Sequence, residues 1–211
     1  MNYESLIFDI DGTLWDSRAL VAEGYNIQLK AENLEHLCVT AEDLKPLFGK
    51  VMSEIADAML ATIPVESRYD LMERCMATEN KYLEENPCHI GYPGVTETIA
   101  KLSEKYRLFI VSNSQCGYPE LCIEKLGLTP YIQGHMCFGD TGTTKGQTIL
   151  TLMKKYGITA PLYIGDTHGD YEATLEAGIP FAFAAYGFGA PDAWAHKADT
   201  PQDLLHLLTL E

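Results

Sequence analysis

Basic residues are scarce: 15 Lys and Arg stand against 30 Asp and Glu, leaving a formal charge of −15 over 211 residues. A phosphate backbone needs compensating cations, so this shortage argues against a nucleic-acid partner. A small anionic substrate stays compatible if a metal or a locally placed lysine balances it. No run of about 18 apolar residues occurs, which excludes a helical membrane span as an expectation. The first residues show no basic segment leading into an apolar stretch and a small-residue cleavage site, so no signal peptide is expected. The six cysteines, Cys38, Cys75, Cys88, Cys116, Cys122 and Cys137, form no CxxC pair. With no Cys or His pair at ligand spacing, zinc is not expected, and reduced thiols in a cytoplasmic protein are the natural reading. Internal repeats and low-complexity tracts are also missing. What remains is 46% apolar and 21% charged, the profile of a globular chain with room for one domain or a core domain carrying a smaller one.

Short apolar runs recur at Ser5–Phe8, Leu108–Val111, Met136–Phe138, Leu162–Ile164 and Phe181–Ala184. From residue 93 onward, helix-like segments separate them. "PGVTETIAKLSEKY" repeats Val95, Ile99 and Leu102 at helical spacing, and "KGQTILTLMKKYG" runs into Gly157 with two lysines in its last turn. Alternating strands and helices predict an α/β fold, a Rossmann-like parallel sheet with helices on both faces. Between residues 17 and 87 the alternation breaks into helix after helix: Arg18–Leu37, Ala41–Phe48, Val51–Thr62 and Glu66–Glu85. Thr40 and Asp43 have the spacing of an N-terminal cap. The expected organisation is therefore an α/β core of residues 1–16 and 88–211, with a small all-helical domain of residues 17–87 inserted after the first strand.

Ligands of open parallel sheets bind beyond the carboxyl ends of the strands. The first strand runs into "DIDGT", with Asp9 and Asp11. "LFIV" ends in Ser112 and Asn113, "LYI" leads to Asp166 and Asp170 in "GDTHGD", and Lys145 opens the helix after the third run. Four carboxylates crowded at one sheet edge need positive charge. Lys145 and a hard dication would supply it, and Mg²⁺ suits an all-oxygen set better than zinc does.

"DIDGT", "VSN", Lys145 and "GDTHGD" resemble, in order, the four motifs of the haloacid dehalogenase superfamily of phosphohydrolases, along the whole chain. The helical insert is similar in position to the cap of the phosphoglycolate-phosphatase-like and β-phosphoglucomutase-like branches. One departure is Lys145-Gly146 where members often carry Lys-Pro, which leaves Lys154 and Lys155 as alternatives. The resemblance implies phosphoryl transfer from a small phosphorylated metabolite through an aspartyl-phosphate. Asp9 would be the nucleophile and Asp11 the proton donor and acceptor. Asp9, Asp166 and the backbone carbonyl of Asp11 would hold Mg²⁺, with Asp170 behind them holding a metal-bound water or Lys145. Ser112, the Asn113 N–H and Lys145 would clamp the phosphoryl oxygens. Lys50, in "LFGKVMSE" between two predicted helices, is the candidate for substrate choice.

His168 is expected at the rim, outside the chemistry, and Trp15 in packing below the first loop. In the family, branches that cleave carbon–halogen or carbon–phosphorus bonds lack an acid at the place of Asp11. The expected activity is therefore a Mg²⁺-dependent phosphatase. The alternatives are a sugar phosphomutase of the β-phosphoglucomutase type and a non-catalytic phosphate-sensing regulator. Neither the substrate nor the oligomeric state is legible at this level.

Overall fold

A computed structural model describes residues 3–209. The chain divides into two compact units, residues 1–16 with 89–211, and residues 17–88.

In the first unit, six strands form one parallel sheet: β1 (Ser5–Phe8), β2 (Arg107–Ser112), β3 (Ile132–Cys137), β4 (Pro161–Gly165), β5 (Phe181–Ala184) and β6 (His196–Ala198). Their order is β3-β2-β1-β4-β5-β6. The chain works outward from β1 on one side, then returns to place β4 on the other. The crevice where the order reverses is where open α/β sheets bind ligands, and it lies between the ends of β1 and β4. Every residue of β1, β4 and β5 is buried, as expected of strands covered on both faces. Ile7, Phe109, Val111, Ile149, Leu152, Tyr163, Phe181 and Phe183 belong to one core cluster of this unit.

The second unit holds α1 (Arg18–Ala31), α2 (Ala41–Leu44), α3 (Met52–Met59) and α4 (Val65–Glu85), with α1 packed along α4. The remaining helices belong to the first unit: α5 (Val95–Ser103), α6 (Tyr118–Lys125), α7 (Phe138–Thr141), α8 (Lys145–Tyr156), α9 (His168–Ala177) and α10 (Asp203–Thr209). None of the described helices is long and apolar enough to cross a membrane.

Several boundaries differ from the periodicity, each for a local reason. The expected helix over Arg18–Leu37 stops at Ala31, because Asn33 takes φ 59°, a conformation Asn tolerates better than most residues. A 3-10 turn over Glu35–Leu37 follows. The helix expected over Ala41–Phe48 ends at Leu44. Pro46 has no N–H to continue the ladder, and the Leu47 and Phe48 N–H groups both donate to Leu44 O, at 2.8 and 3.1 Å. The Thr40–Asp43 capping box is formed, with Thr40 N–H donating to Asp43 Oδ2 at 2.8 Å. Strand β3 begins at Ile132 and hands over to α7 at Phe138. The polar β6, "HKA", has no apolar pattern by which sequence could mark it.

Candidate active site

Asp9 extends the β1–β4 pairing by one residue, its N–H donating to Ile164 O at 2.8 Å. The chain then turns back tightly: the N–H groups of Thr13, Leu14 and Trp15 all point to Ile10 O. Gly12 makes the turn possible at φ 84°. A Cβ there would lie 2.3 Å from Asp166 Oδ2, so no other residue fits beside that carboxylate.

Lys145 is the first residue of α8, whose N-cap is Thr144. Its buried ammonium lies 2.8 Å from Asp9 Oδ1 and 2.6 Å from Asp170 Oδ1. Lys154 and Lys155, on the last turn of α8, are exposed. The lysine at the cluster is therefore Lys145. Asp170 is held from several sides. Its Oδ2 accepts from the Thr167 N–H and hydroxyl, at 3.0 and 2.7 Å, and from the Asp166 N–H at 3.2 Å. The Tyr163 hydroxyl lies 3.2 Å from Oδ1. Asp170 thus spends both oxygens on fixing Lys145 and the β4–α9 turn, which leaves it poorly suited to be a metal ligand.

Asp166 differs. Its Oδ2 accepts from the Phe188 N–H at 2.6 Å, while its buried Oδ1 has no hydrogen-bond partner among the described residues. A buried carboxylate oxygen without a partner is costly. Asp9, Asp166 and Asp170 each offer an oxygen within 4.8 Å of the others.

Three buried acids and one ammonium leave negative charge uncompensated, and the proton affinities show where it falls. Burial opposes ionisation of Asp170, but the Lys145 ammonium and the Thr167 bonds outweigh it and hold Asp170 below the usual carboxylate range. Burial likewise opposes the charge on Lys145, and Asp170 and Asp9 more than restore it, raising its affinity for the proton. Asp9 is pushed up to about 7 by burial and by the charge of Asp170, with Lys145 pulling the other way. Burial, then Asp170 and Asp9, raise Asp166 well above its ordinary value. Ionisation is therefore opposed at Asp9 and Asp166, where no protein cation offsets it fully. An all-oxygen set with that shortage of positive charge and an unpartnered oxygen at its edge fits a hard dication such as Mg²⁺.

Asp11 faces a different pair of donors: its Oδ1 accepts from Trp15 Nε1 and from the Tyr118 hydroxyl, both at 2.8 Å. The two rings meet edge to face, centroids 5.4 Å apart. Trp15 is fully buried, and it packs and donates at once, more than the packing role expected. Tyr118 was not legible as a partner of Asp11. It lies 107 residues away, and its one signal is a place at the start of α6, just past the loop that follows β2.

Ser112 closes β2, buried, with Oγ accepting from the Ser114 N–H at 3.2 Å, and Asn113 follows it. The register pairs Phe8 with Ile110, which sets Ser112 on the strand beside Asp9. His168 opens α9 half-exposed, its ring 3.5 Å from Glu172 and 3.6 Å from Asp192, with no hydrogen bond or ion pair to the buried acids. Lys50 belongs to the helical unit, exposed at the end of a turn where its N–H donates to Leu47 O at 3.1 Å.

Comparisons with known proteins bear on the family and the fold. The profile of the haloacid dehalogenase-like hydrolase family matches residues 6–184. A phosphoglycolate phosphatase of Agrobacterium fabrum is 31% identical over 192 residues, covering 86% of this chain and 80% of that protein. Pyrophosphatase PpaX of Oceanobacillus iheyensis is 24% identical over 196 residues, covering 88% and 85%. Among solved structures, a haloacid dehalogenase-like hydrolase from Streptococcus pneumoniae superposes with a TM-score of 0.81 at 18% identity, over 98% of this chain and 99% of that one. A subfamily IA hydrolase from Geobacter sulfurreducens gives 0.72 at 18% identity, over 98% and 96%.

Proposed function

The chain belongs to the haloacid dehalogenase-like hydrolase family and is a phosphatase, and from that premise we propose that it hydrolyses a small phosphomonoester, with Mg²⁺, through an aspartyl-phosphate on Asp9. The observation that supports this best is the division among the three buried acids. Asp170 is saturated by protein donors, whereas Asp9 and Asp166 resist ionisation for want of a further cation and Asp166 keeps an unpartnered oxygen.

The Asp9 carboxylate, oriented by Lys145, attacks phosphorus while the bond to the leaving oxygen breaks. Asp11 gives that oxygen its proton. Asp11 then takes a proton from the water that attacks the phosphoryl group, releasing inorganic phosphate and restoring Asp9. Trp15 and Tyr118 fix the direction of the Asp11 carboxyl through Oδ1 and are positioning residues. Ser112, the Asn113 N–H and Lys145 donate to the phosphoryl oxygens, where preorganised donors favour the transition state. Asp9, Asp166 and the Asp11 backbone carbonyl would hold Mg²⁺, which when bound draws negative charge off the transferring group.

The relatives' names make phosphoglycolate the first substrate to try and pyrophosphate the second. Lys50 is the candidate for substrate choice within the helical unit. The test is phosphate release from a panel of phosphomonoesters, with Mg²⁺ and with chelator. Release that needs Mg²⁺ and leaves a trappable phosphoryl group on Asp9 supports the reading. Full release in chelator refutes it.

A further inference from the structure

We propose that Cys116, Cys137 and Asp140 form a second metal site, one that takes a thiolate-binding dication such as Zn²⁺. The three come from two pieces of chain. Cys137 closes β3 and is buried, Asp140 lies in the α7 turn after it, and Cys116 comes from the loop between β2 and α6. Their ligand atoms all lie within 4.8 Å of one another. Asp140 is the hub: Oδ2 lies 3.3 Å from Cys137 Sγ and Oδ1 lies 3.7 Å from Cys116 Sγ. The Cys137 N–H also donates to Oδ2 at 2.8 Å, fixing the carboxylate.

The cluster is compact enough to close on one ion. Zinc–sulfur bonds of about 2.3 Å and zinc–oxygen bonds of 2.0–2.2 Å at tetrahedral angles put sulfur and oxygen about 3.5 Å apart and two sulfurs about 3.8 Å apart. The observed sulfur–oxygen distances, 3.3 and 3.7 Å, lie on either side of the first value but run to different oxygens of Asp140, so the carboxylate must turn to present one oxygen to an ion shared by both sulfurs. Both thiols already aim at one carboxylate, so an ion taking their place binds three ligands and sends two protons to solvent. Cys116 and Asp140 are exposed, which leaves a route in and a fourth position for water.

The backbone allows the approach at one point. A Cβ on Gly139 would lie 2.6 Å from Cys116 N and 2.8 Å from its Sγ. Gly139 N–H donates to Ser114 O at 3.2 Å, joining the two segments. An ion held here ties the Asn113–Tyr118 segment to the end of β3. Two sulfurs and one carboxylate favour a borderline-soft ion over Mg²⁺, so the site is chemically separate from the Asp9–Asp166 cluster.

Co²⁺ is the probe, because thiolate ligation gives a charge-transfer band in the near ultraviolet that oxygen ligands do not. The reduced full-length protein should bind Co²⁺ with this band, Zn²⁺ should abolish it, and excess Mg²⁺ should leave it in place. Cys116→Ser, at an exposed position, should halve the band intensity and weaken Co²⁺ binding by roughly tenfold or more, since losing a ligand costs at least as much as losing its outer partner. Asp140→Asn should weaken binding while keeping the band, and Mg²⁺-dependent phosphate release in the absence of Zn²⁺ should match wild type in Cys116→Ser. The proposal is overturned by absence of the band, by a band of undiminished strength in Cys116→Ser, or by titration of only four of the six thiols under denaturing, non-reducing conditions in protein purified without reductant, which would mark a disulfide.

Discussion

The two units treat charge differently: among the described residues, the α/β unit buries four charged side chains and the helical unit one, Glu79. At the strand ends of the α/β unit, Asp9, Lys145, Asp166 and Asp170 are all buried, with the Lys145 ammonium 2.8 Å from Asp9 and 2.6 Å from Asp170. In the helical unit, charges meet near the surface: Arg74 and Glu32 are paired at 2.8 Å with half and a third of their side-chain surface exposed. Arg68 reaches Asp57 at 2.7 Å, with Asp57 half-exposed. Surface pairs add little, and water takes over when one partner goes. A buried group has no such substitute, so a protein keeps one where chemistry repays its cost. The gathering of four buried charged groups at one sheet edge, against the single Glu79 of the helical unit, points to the functional centre without reference to any relative.

Substitutions can break the contrast. Asp9→Asn, nearly isosteric at a strand end, should lower phosphate release on the order of 10⁴-fold or more, with the circular dichroism spectrum unchanged. Near-wild-type release would remove Asp9 as the nucleophile. Lys145→Met leaves Asp9 and Asp170 buried without their cation and should cost about 3–5 kcal/mol in urea unfolding. Arg74→Ala in the helical unit should cost less than about 1 kcal/mol. Equal losses would mean that the two regions do not differ as described.

Proton and metal compete at the same acids. Asp9 in the folded chain holds its proton up to about pH 7, against an ordinary value of 3.8. Its contribution to stability is thus full below about pH 4 and is lost as the pH rises through 7. Mg²⁺ should therefore raise Tm more near pH 8 than near pH 5, measured by scanning calorimetry, and an equal rise would argue against Asp9 as a ligand. Tyr118→Phe removes one donor to Asp11 and should lower kcat roughly tenfold, within what acid–base catalysis supplies, with KM little changed. An unchanged kcat would reduce Tyr118 to packing. The smallest effect is expected from Lys50→Ala: a changed ranking among phosphomonoesters, with an aryl phosphate hydrolysed as before. An unaltered ranking would withdraw Lys50.

Where local chemistry decides an outcome, it was readable along the chain. Buried strands such as Ser5–Phe8 and Phe181–Ala184 carry unbroken apolar runs because both faces are covered. Asp9, Asp11, Asp166 and Asp170 stand out because acids directly after such runs are rare without a purpose, and Lys145 because it opens a helix at the same edge. Helix ends were less legible. Asn33 and Pro46 interrupt periodic stretches by backbone conformation and a missing donor, effects that apolar spacing does not register.

The sequence by itself thus determined the layering of the α/β unit, the helical insert and the carboxylate-rich strand ends, since each follows from neighbours a few residues apart. Only the tertiary structure decided which acid keeps an unpartnered oxygen, that Lys145 and not Lys154 or Lys155 reaches Asp9, and that Tyr118 donates to Asp11. It also brought Cys116 beside Cys137, two cysteines with no zinc-ligand spacing along the chain. The parallel sheet is the reason. Its register sets the ends of distant strands side by side, and distances across those ends bear no relation to separation along the sequence.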